Sequence, residues 1–286
     1  MPEVRVRAAD VADLAGIASI AAATGQHDLW GGQNPAYIRH LMDVGRVVVA
    51  EVDAAMAGFG AAQQIGTGPD AASMLCDLFV DPGAHGRGCG RAMLADLWPT
   101  AGRRMTFSSL HANAMPLYTS FGLDAWWPLL YLHGDPGLLP ATSEWAVEPA
   151  TADQVAGHEL DWTGVARSAE HRAWTARPAG EAVLVSRGNE VIAAGSVITA
   201  GQDRGVVHLA LSPGADDRVA ADVVLQTLAQ LPTRPSERAL VCLPAPHPAV
   251  RALLAAGWRF DEFDLFMASE PGLLDPRRAM PSPGQA

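Results

Sequence analysis

Cysteine is scarce in this chain: only Cys76, Cys89 and Cys242 occur in 286 residues. An odd number at unrelated spacings provides neither a disulfide framework nor a zinc-ligand pattern, so the three are expected to be ordinary thiols and no metal site is expected. Long apolar runs are missing too. No stretch reaches 18 uninterrupted apolar residues and charge enters at the third residue, which argues against a membrane span or a secretory signal and makes the cytoplasm the expected location. Lysine is absent altogether; all 20 basic residues are arginine. With the heavy use of alanine, glycine and proline, that is a compositional bias from which no function follows. The net charge of -11 leaves no general basic face with which to displace counterions from nucleic acid, and suits a cationic small molecule somewhat better.

What is present is ample material for cores, with 49% hydrophobic and 18% charged residues, in a chain longer than one core usually serves. Two domains are the first expectation. Residues 4–7 read as a strand, followed by a helix capped near Asp10 with apolar residues at Val11, Leu14, Ile17, Ala18 and Ala21. A second helix is expected over 35–44, a hairpin over 47–52 and 55–64 turning near Asp53 and Ala54, and a strand over 73–80. A glycine-rich segment then opens a helix over 89–97, and a strand (105–110), a helix (112–121) and a closing strand (125–132) follow.

Residues 135–143, rich in glycine and proline, are expected to link this pattern to a second pass through it. A strand at 145–147, a helix at 151–160, a hairpin at 181–187 and 191–200, and a strand at 205–211 repeat the first half, and 215–231, 239–243, 248–256 and 260–267 complete it. The predicted fold class is α+β, with mixed α/β elements, in two tandem domains at 1–134 and 144–269. Each would have a mixed, mostly antiparallel sheet flanked by helices. Residues 270–286, with four prolines, are expected to be a loose tail.

Two motifs carry chemistry. The segment Leu78, Phe79, Val80, Asp81, Pro82, Gly83, Ala84, His85, Gly86, Arg87, Gly88, Cys89, Gly90, Arg91 sets glycines where a strand hands over to a helix. Backbone N–H groups can there approach an anion, the helix start adds its partial positive charge, and Arg87 and Arg91 can add theirs. Downstream runs His111, Ala112, Asn113, Ala114, Met115, Pro116, Leu117, Tyr118, Thr119, Ser120, Phe121, Gly122.

In this order and spacing the two segments resemble the acyl-CoA loop (Q/R-x-x-G-x-G/A) and the N-x-x-A-x-x-L-Y-x-x-x-G-F segment of the GNAT N-acetyltransferases, over about residues 3–132. His85 replaces the usual Gln or Arg, and His111 the usual Asn. The resemblance implies transfer of an acetyl group from acetyl-CoA, as co-substrate, to a primary amine. Pantetheine would pair with the strand at Leu78, Phe79 and Val80, the phosphates would lie on His85–Arg91, and Asn113 would adjoin the cofactor. Tyr118 is the candidate general acid for the departing thiolate, and Asp77 and His111 are candidate bases. His27, Asp28 and Trp30 lie in a loop that often borders the acceptor in this superfamily. The expected acceptor is a small, cationic amine, with no nucleic acid or membrane partner, and the protein a monomer or homodimer. The alternative is a non-catalytic acyl-CoA-binding regulatory module.

The second pass lacks these features: the loop Ser212, Pro213, Gly214, Ala215, Asp216, Asp217 has two carboxylates where pyrophosphate would sit, and Leu253 stands where the tyrosine is. It is expected to be a degenerate copy.

Overall fold

In the computed structural model, residues 3–25, 36–68, 71–98, 102–140, 144–200, 203–231 and 238–284 are described. The chain divides into two compact units, one of Met1–Ala125 with Met267–Pro271 and Ala286, the other of Trp126–Phe266 with Gly272–Gln285.

The first unit opens with β1 (Val4–Ala8). Asp10 then accepts from Ala12 N–H at 2.7 Å while Asp13 accepts from Asp10 N–H at 2.8 Å, a reciprocal cap that starts α1 (Leu14–Ala23) within one turn. The Arg7 guanidinium bonds Asp13 at 2.7 Å and Glu51 at 2.8 Å, which holds the Asp13 carboxyl below the usual range and ties the helix start to the sheet. There follow α2 (Ala36–Val44), β2 (Gly45–Val52), β3 (Ala55–Ile65), β4 (Ala72–Val80), α3 (Cys89–Leu97), β5 (Arg103–Ser108) and α4 (Ala114–Thr119). The strand order is β1-β2-β3-β4-β5; all pairings are antiparallel except β4 with β5. On one face Ile17 and Ile20 of α1, Ile38 and Leu41 of α2, and Val47, Val49, Phe59 and Ala61 of the sheet form a core. On the other, Gly58 and Gly60 let α3 close on β3, for a Cβ at Gly60 would lie 2.9 Å from Leu97 Cδ1 and one at Gly58 3.0 Å from Met93 Cε.

The second unit starts with β6 (Asp124–Gly134), which shares its first two residues with the first unit. After it come β7 (Trp145–Ala150), α5 (Ala152–Thr163), α6 (Ser168–Thr175), β8 (Glu181–Arg187), β9 (Glu190–Ala200), β10 (Asp203–Leu211), α7 (Asp217–Ala229), β11 (Ala239–Pro244), α8 (Pro248–Ala255) and β12 (Arg259–Ala268), whose last two residues count with the first unit. Its strand order is β12-β6-β11-β10-β9-β8-β7, with β10 and β11 parallel. The expected mixed, mostly antiparallel sheet with flanking helices is present in each unit. Among the described residues no helix is long and apolar enough to cross a membrane.

Three details differ from the expected layout. The strand expected to close the first pass, β6, pairs with β11 from Leu129 to Gly134, and its Trp127 stacks on Phe266 at 4.3 Å while Tyr131 donates to Asp264 at 2.6 Å. Next to β5 lies instead the segment Met267–Pro271, where Ser269 N–H donates to the Arg104 carbonyl at 2.9 Å. The alternation of a strand does not specify its neighbour; cross-strand pairs such as these do. Second, residues 135–140 of the expected linker pack on the second unit: Leu139 lies in its core and Gln226 donates to the Pro140 carbonyl at 2.6 Å. Residues 141–143 lie outside the described residues. Third, the expected loose tail is packed at Met280, Pro281 and Ser282, which are buried.

A buried polar cluster joins α5, α6, β9 and β10. Glu159 Oε1 accepts from Arg167 Nε and His208 Nε2 and Oε2 from His171 Nε2, all at 2.9 Å, and Ser196 Oγ lies 2.8 Å from His171 Nδ1. The carboxylate and two imidazoles have the spacing of a metal-ligand set. The Arg167 guanidinium already offsets the charge of that carboxylate, while His208 Nδ1 is buried without a hydrogen-bond partner among the described residues. Burial pushes His171 below its ordinary value; burial also works to raise Glu159, but the electrostatic attraction of His208 and the bonds from His171 and His208 outweigh it and hold that carboxyl well below the carboxylate range. Glu159→Gln leaves a buried guanidinium without its counter-charge and is expected to lower the unfolding free energy by about 3 kcal/mol in a denaturant titration.

Candidate functional site

The site begins where β4 leaves β5. Their parallel pairing runs from Ala72 with Arg103 to Leu75 with Thr106, and Thr106 Oγ1 donates to the Leu75 carbonyl at 3.0 Å. The pairing of β4 with β3 runs on to Val80 with Gly58, and its register shifts at Cys76, the extra residue of a β-bulge. Residues 77–80, which include the expected Leu78, Phe79 and Val80, therefore keep β3 as neighbour while their other edge has parted from the β5 ladder.

At the end of β4 the loop is built by its own residues. Asp81 Oδ1 accepts from Gly83 N–H at 2.8 Å, His85 Nε2 lies 3.1 Å from the Val80 carbonyl, and Arg87 N–H donates to the Ala84 carbonyl at 3.3 Å. Gly86 and Gly88 have φ of 79° and 88°, a left-handed backbone that favours glycine. Gly88 is the N-cap of α3, no side chain caps that helix start, and a Cβ there would meet nothing within 4 Å. The free N–H groups and the helix dipole thus face open space, the arrangement that suits an anion. At Gly90 a Cβ would lie 3.2 Å from Leu117 Cδ2, and the residue's smallness brings α3 against α4.

Cys89 is buried at the helix start and burial pushes its thiol up, so its contribution there is backbone. Arg87 makes an exposed ion pair with Asp53 at 3.6 Å, and the Arg91 guanidinium lies 5.8 Å from the Phe121 ring centre.

The second motif meets the first. The rings of His85 and His111 stand edge to face with centres 5.6 Å apart. His111 is exposed and its Nδ1 accepts from Asn113 N–H at 3.3 Å, which organises the turn into α4. Tyr118 is 7% exposed and has Trp98 at its edge, 6.3 Å between ring centres. The helix ends on Gly122, φ 83°, after Phe121 N–H bonds the Tyr118 carbonyl.

Asp77 follows the bulge directly and lies opposite Ala61, on the face covered by α1 and α2. Among the described residues its Oδ2 is buried without a hydrogen-bond partner, and burial raises its pKa to about 7, partly offset by the hydrogen bond from Tyr37 of α2. Its partner is thus Tyr37 and not His111. Two residues are added to those expected: Tyr37, and Gln63, whose whole amide is buried without partners among the described residues, on the same face of β3, two residues from Ala61. The signal for Gln63 was in the sequence, a glutamine at an inward position of a strand that is apolar up to Ala62. His27, Asp28 and Trp30 lie outside the described residues.

Residues 43–122 match the model of the acetyltransferase (GNAT) domain. A crystal structure from Pyrococcus horikoshii, described as a candidate acetyltransferase, superposes with a TM-score of 0.72 at 14% identity over 99% of this chain and 96% of that one. A GCN5-related N-acetyltransferase from Kribbella flavida gives 0.60 at 15% identity over 93% and 71%. A tandem GNAT protein from the clavulanic acid biosynthesis pathway gives 0.57 at 15% identity over 96% and 100%. No curated protein matches the chain in sequence. A valine at position 88 must adopt the left-handed backbone, and Gly88→Val is expected to cost about 1–2 kcal/mol in urea unfolding.

Proposed function

We propose that this chain, whose fold is that of the GNAT acetyltransferases, is a cytoplasmic acetyl-CoA-dependent N-acetyltransferase acting on a small, cationic primary amine. The observation that carries the reading is the parted β4 strand ending at an uncapped helix start. Its free backbone edge suits the pantetheine amides, and the N–H groups around Gly86 and Gly88 suit the pyrophosphate. Acetyl-CoA supplies a thioester, whose acyl–sulfur bond is exchanged for an amide bond. Asp77, with a pKa near neutrality, takes the proton that an incoming ammonium must lose. Tyr118 supports the departing thiolate by giving it a proton, and Gln63 offers its amide NH2 as donor and its carbonyl oxygen as acceptor to the rest of the amine substrate. The acidic chain needs no nucleic acid or membrane partner for this and acts as a monomer or homodimer.

Calorimetric titration with acetyl-CoA is expected to show one site per chain, lost in Gly88→Glu and kept in Tyr118→Phe. No binding by the wild type overturns the reading. Binding without free-thiol release on any member of a broad amine panel points to a regulatory acyl-CoA module instead.

With a turned-over amine, the rate should rise with pH through about 7 as Asp77 loses its proton. Asp77→Asn is expected to lower kcat by about 100-fold or more and to remove that rise. Because the Tyr37 hydrogen bond lowers the Asp77 pKa, Tyr37→Phe should move the same rise to higher pH. A profile unchanged in both variants excludes Asp77 as the base.

A further inference from the structure

The second unit contains the same fork. The parallel pairing of β10 with β11 runs from Arg204 with Ala239 to Val206 with Val241 and goes no further, while β9 stays paired to Leu211. The register shifts at Val207, so His208 stands directly after the bulge, as Asp77 does in the first unit. Residues 208–211 thus correspond to 77–80. Here the parted edge is occupied. Leu209 forms an antiparallel bridge with Met280, which is 3% exposed and belongs to the core cluster that holds Leu209, Leu211, Val250 and Leu253.

The polarity of the loop is also reversed. Asp216 caps α7 through Val219 N–H at 2.8 Å, whereas the start of α3 has no side-chain cap. The loop presents carbonyls and a carboxylate outward instead: Arg278 Nη2 donates to the Ser212 carbonyl at 2.9 Å, its Nη1 donates to the Ala215 carbonyl, and Arg277 Nε lies 3.1 Å from both Asp217 oxygens. Acceptors at this place reject a phosphate and hold a guanidinium.

We propose that the fork of the second unit is a peptide groove, and that its resident ligand is this chain's own segment 275–282, in which a turn closed by Arg278 N–H and Ala279 N–H on the Asp275 carbonyl presents the two arginines and leads into the bridge at Met280. A strand bridge, an apolar anchor at Met280 and a guanidinium fork at Arg278 are the elements of strand-addition recognition. The inference stands on the geometry of the second unit and does not depend on acyl transfer by the first.

Two measurements test it. In the intact chain, Arg278→Glu is expected to raise amide hydrogen exchange across residues 208–216 at least about 10-fold, with exchange in β4 and α3 unchanged; unchanged exchange at 208–216 overturns the proposal. In a chain carrying a protease site between Pro271 and Gly272, both exposed, the cut protein should take up a labelled synthetic peptide of residues 272–284. The same peptide with Arg278→Glu should bind about 100-fold more weakly, since two charge-assisted bonds are lost. Absence of uptake, or equal uptake of both peptides, refutes the groove. Acetyl-CoA titration of the cut protein, expected to be unaltered, keeps this outcome separate from that of the first unit.

Discussion

The extra residue Cys76 in β4, and the parting of β4 from β5 after Leu75, form the constraint on which the first unit's site depends. A strand in mid-sheet spends its backbone groups on two neighbours and has none to offer. A strand that keeps β3 but leaves β5 has a free edge, and the bulge re-aims the following residue. Asp77 is that residue. Its raised pKa is a consequence of where the bulge turns it: one carboxylate oxygen is removed from water with no partner among the described residues, and the Tyr37 bond works against that loss of solvation.

The loop completes what the fork begins. Asp81 and Pro82 turn the chain within a few residues, and two glycines in left-handed backbone deliver it to a helix start without a side-chain cap. The second unit shows what happens when the same scaffold lacks these residues. With Asp216 filling the cap and carbonyls turned outward, the loop accepts a guanidinium, and the space on the parted edge is taken by Met280. The side of the sheet on which Asp77 stands in the first unit is filled in the second by Glu159, His171, His208 and Arg167, each bonded to another. Polar groups bonded to one another in this way hold a core together, with His208 Nδ1 alone of the cluster's ring nitrogens lacking a partner among the described residues.

The same backbone device therefore serves opposite ends in the two units, and the difference is chemical. Unmet donors and a half-ionised carboxyl make one fork receptive. Matched hydrogen bonds and the chain's own arginines close the other.

The sequence by itself determined the local elements and the two motifs. The alternation at 47–52 and 55–64, the capping residues near Asp10, and the glycines between Val80 and Cys89 act within a few residues of one another, so each was legible in the text and reappears in β2, β3, α1 and the loop before α3. Only the tertiary structure decided which strands pair, and so gave β6 to the second unit and Met267–Pro271 to the first. It also decided that Gly90 serves packing, that Gln63 and Asp77 carry unmet polar atoms, and that the proline-rich end is a packed segment. The physical reason is the same in each case: strand alternation says which face is buried but not against what, and whether a polar atom finds a partner depends on residues far away in the chain.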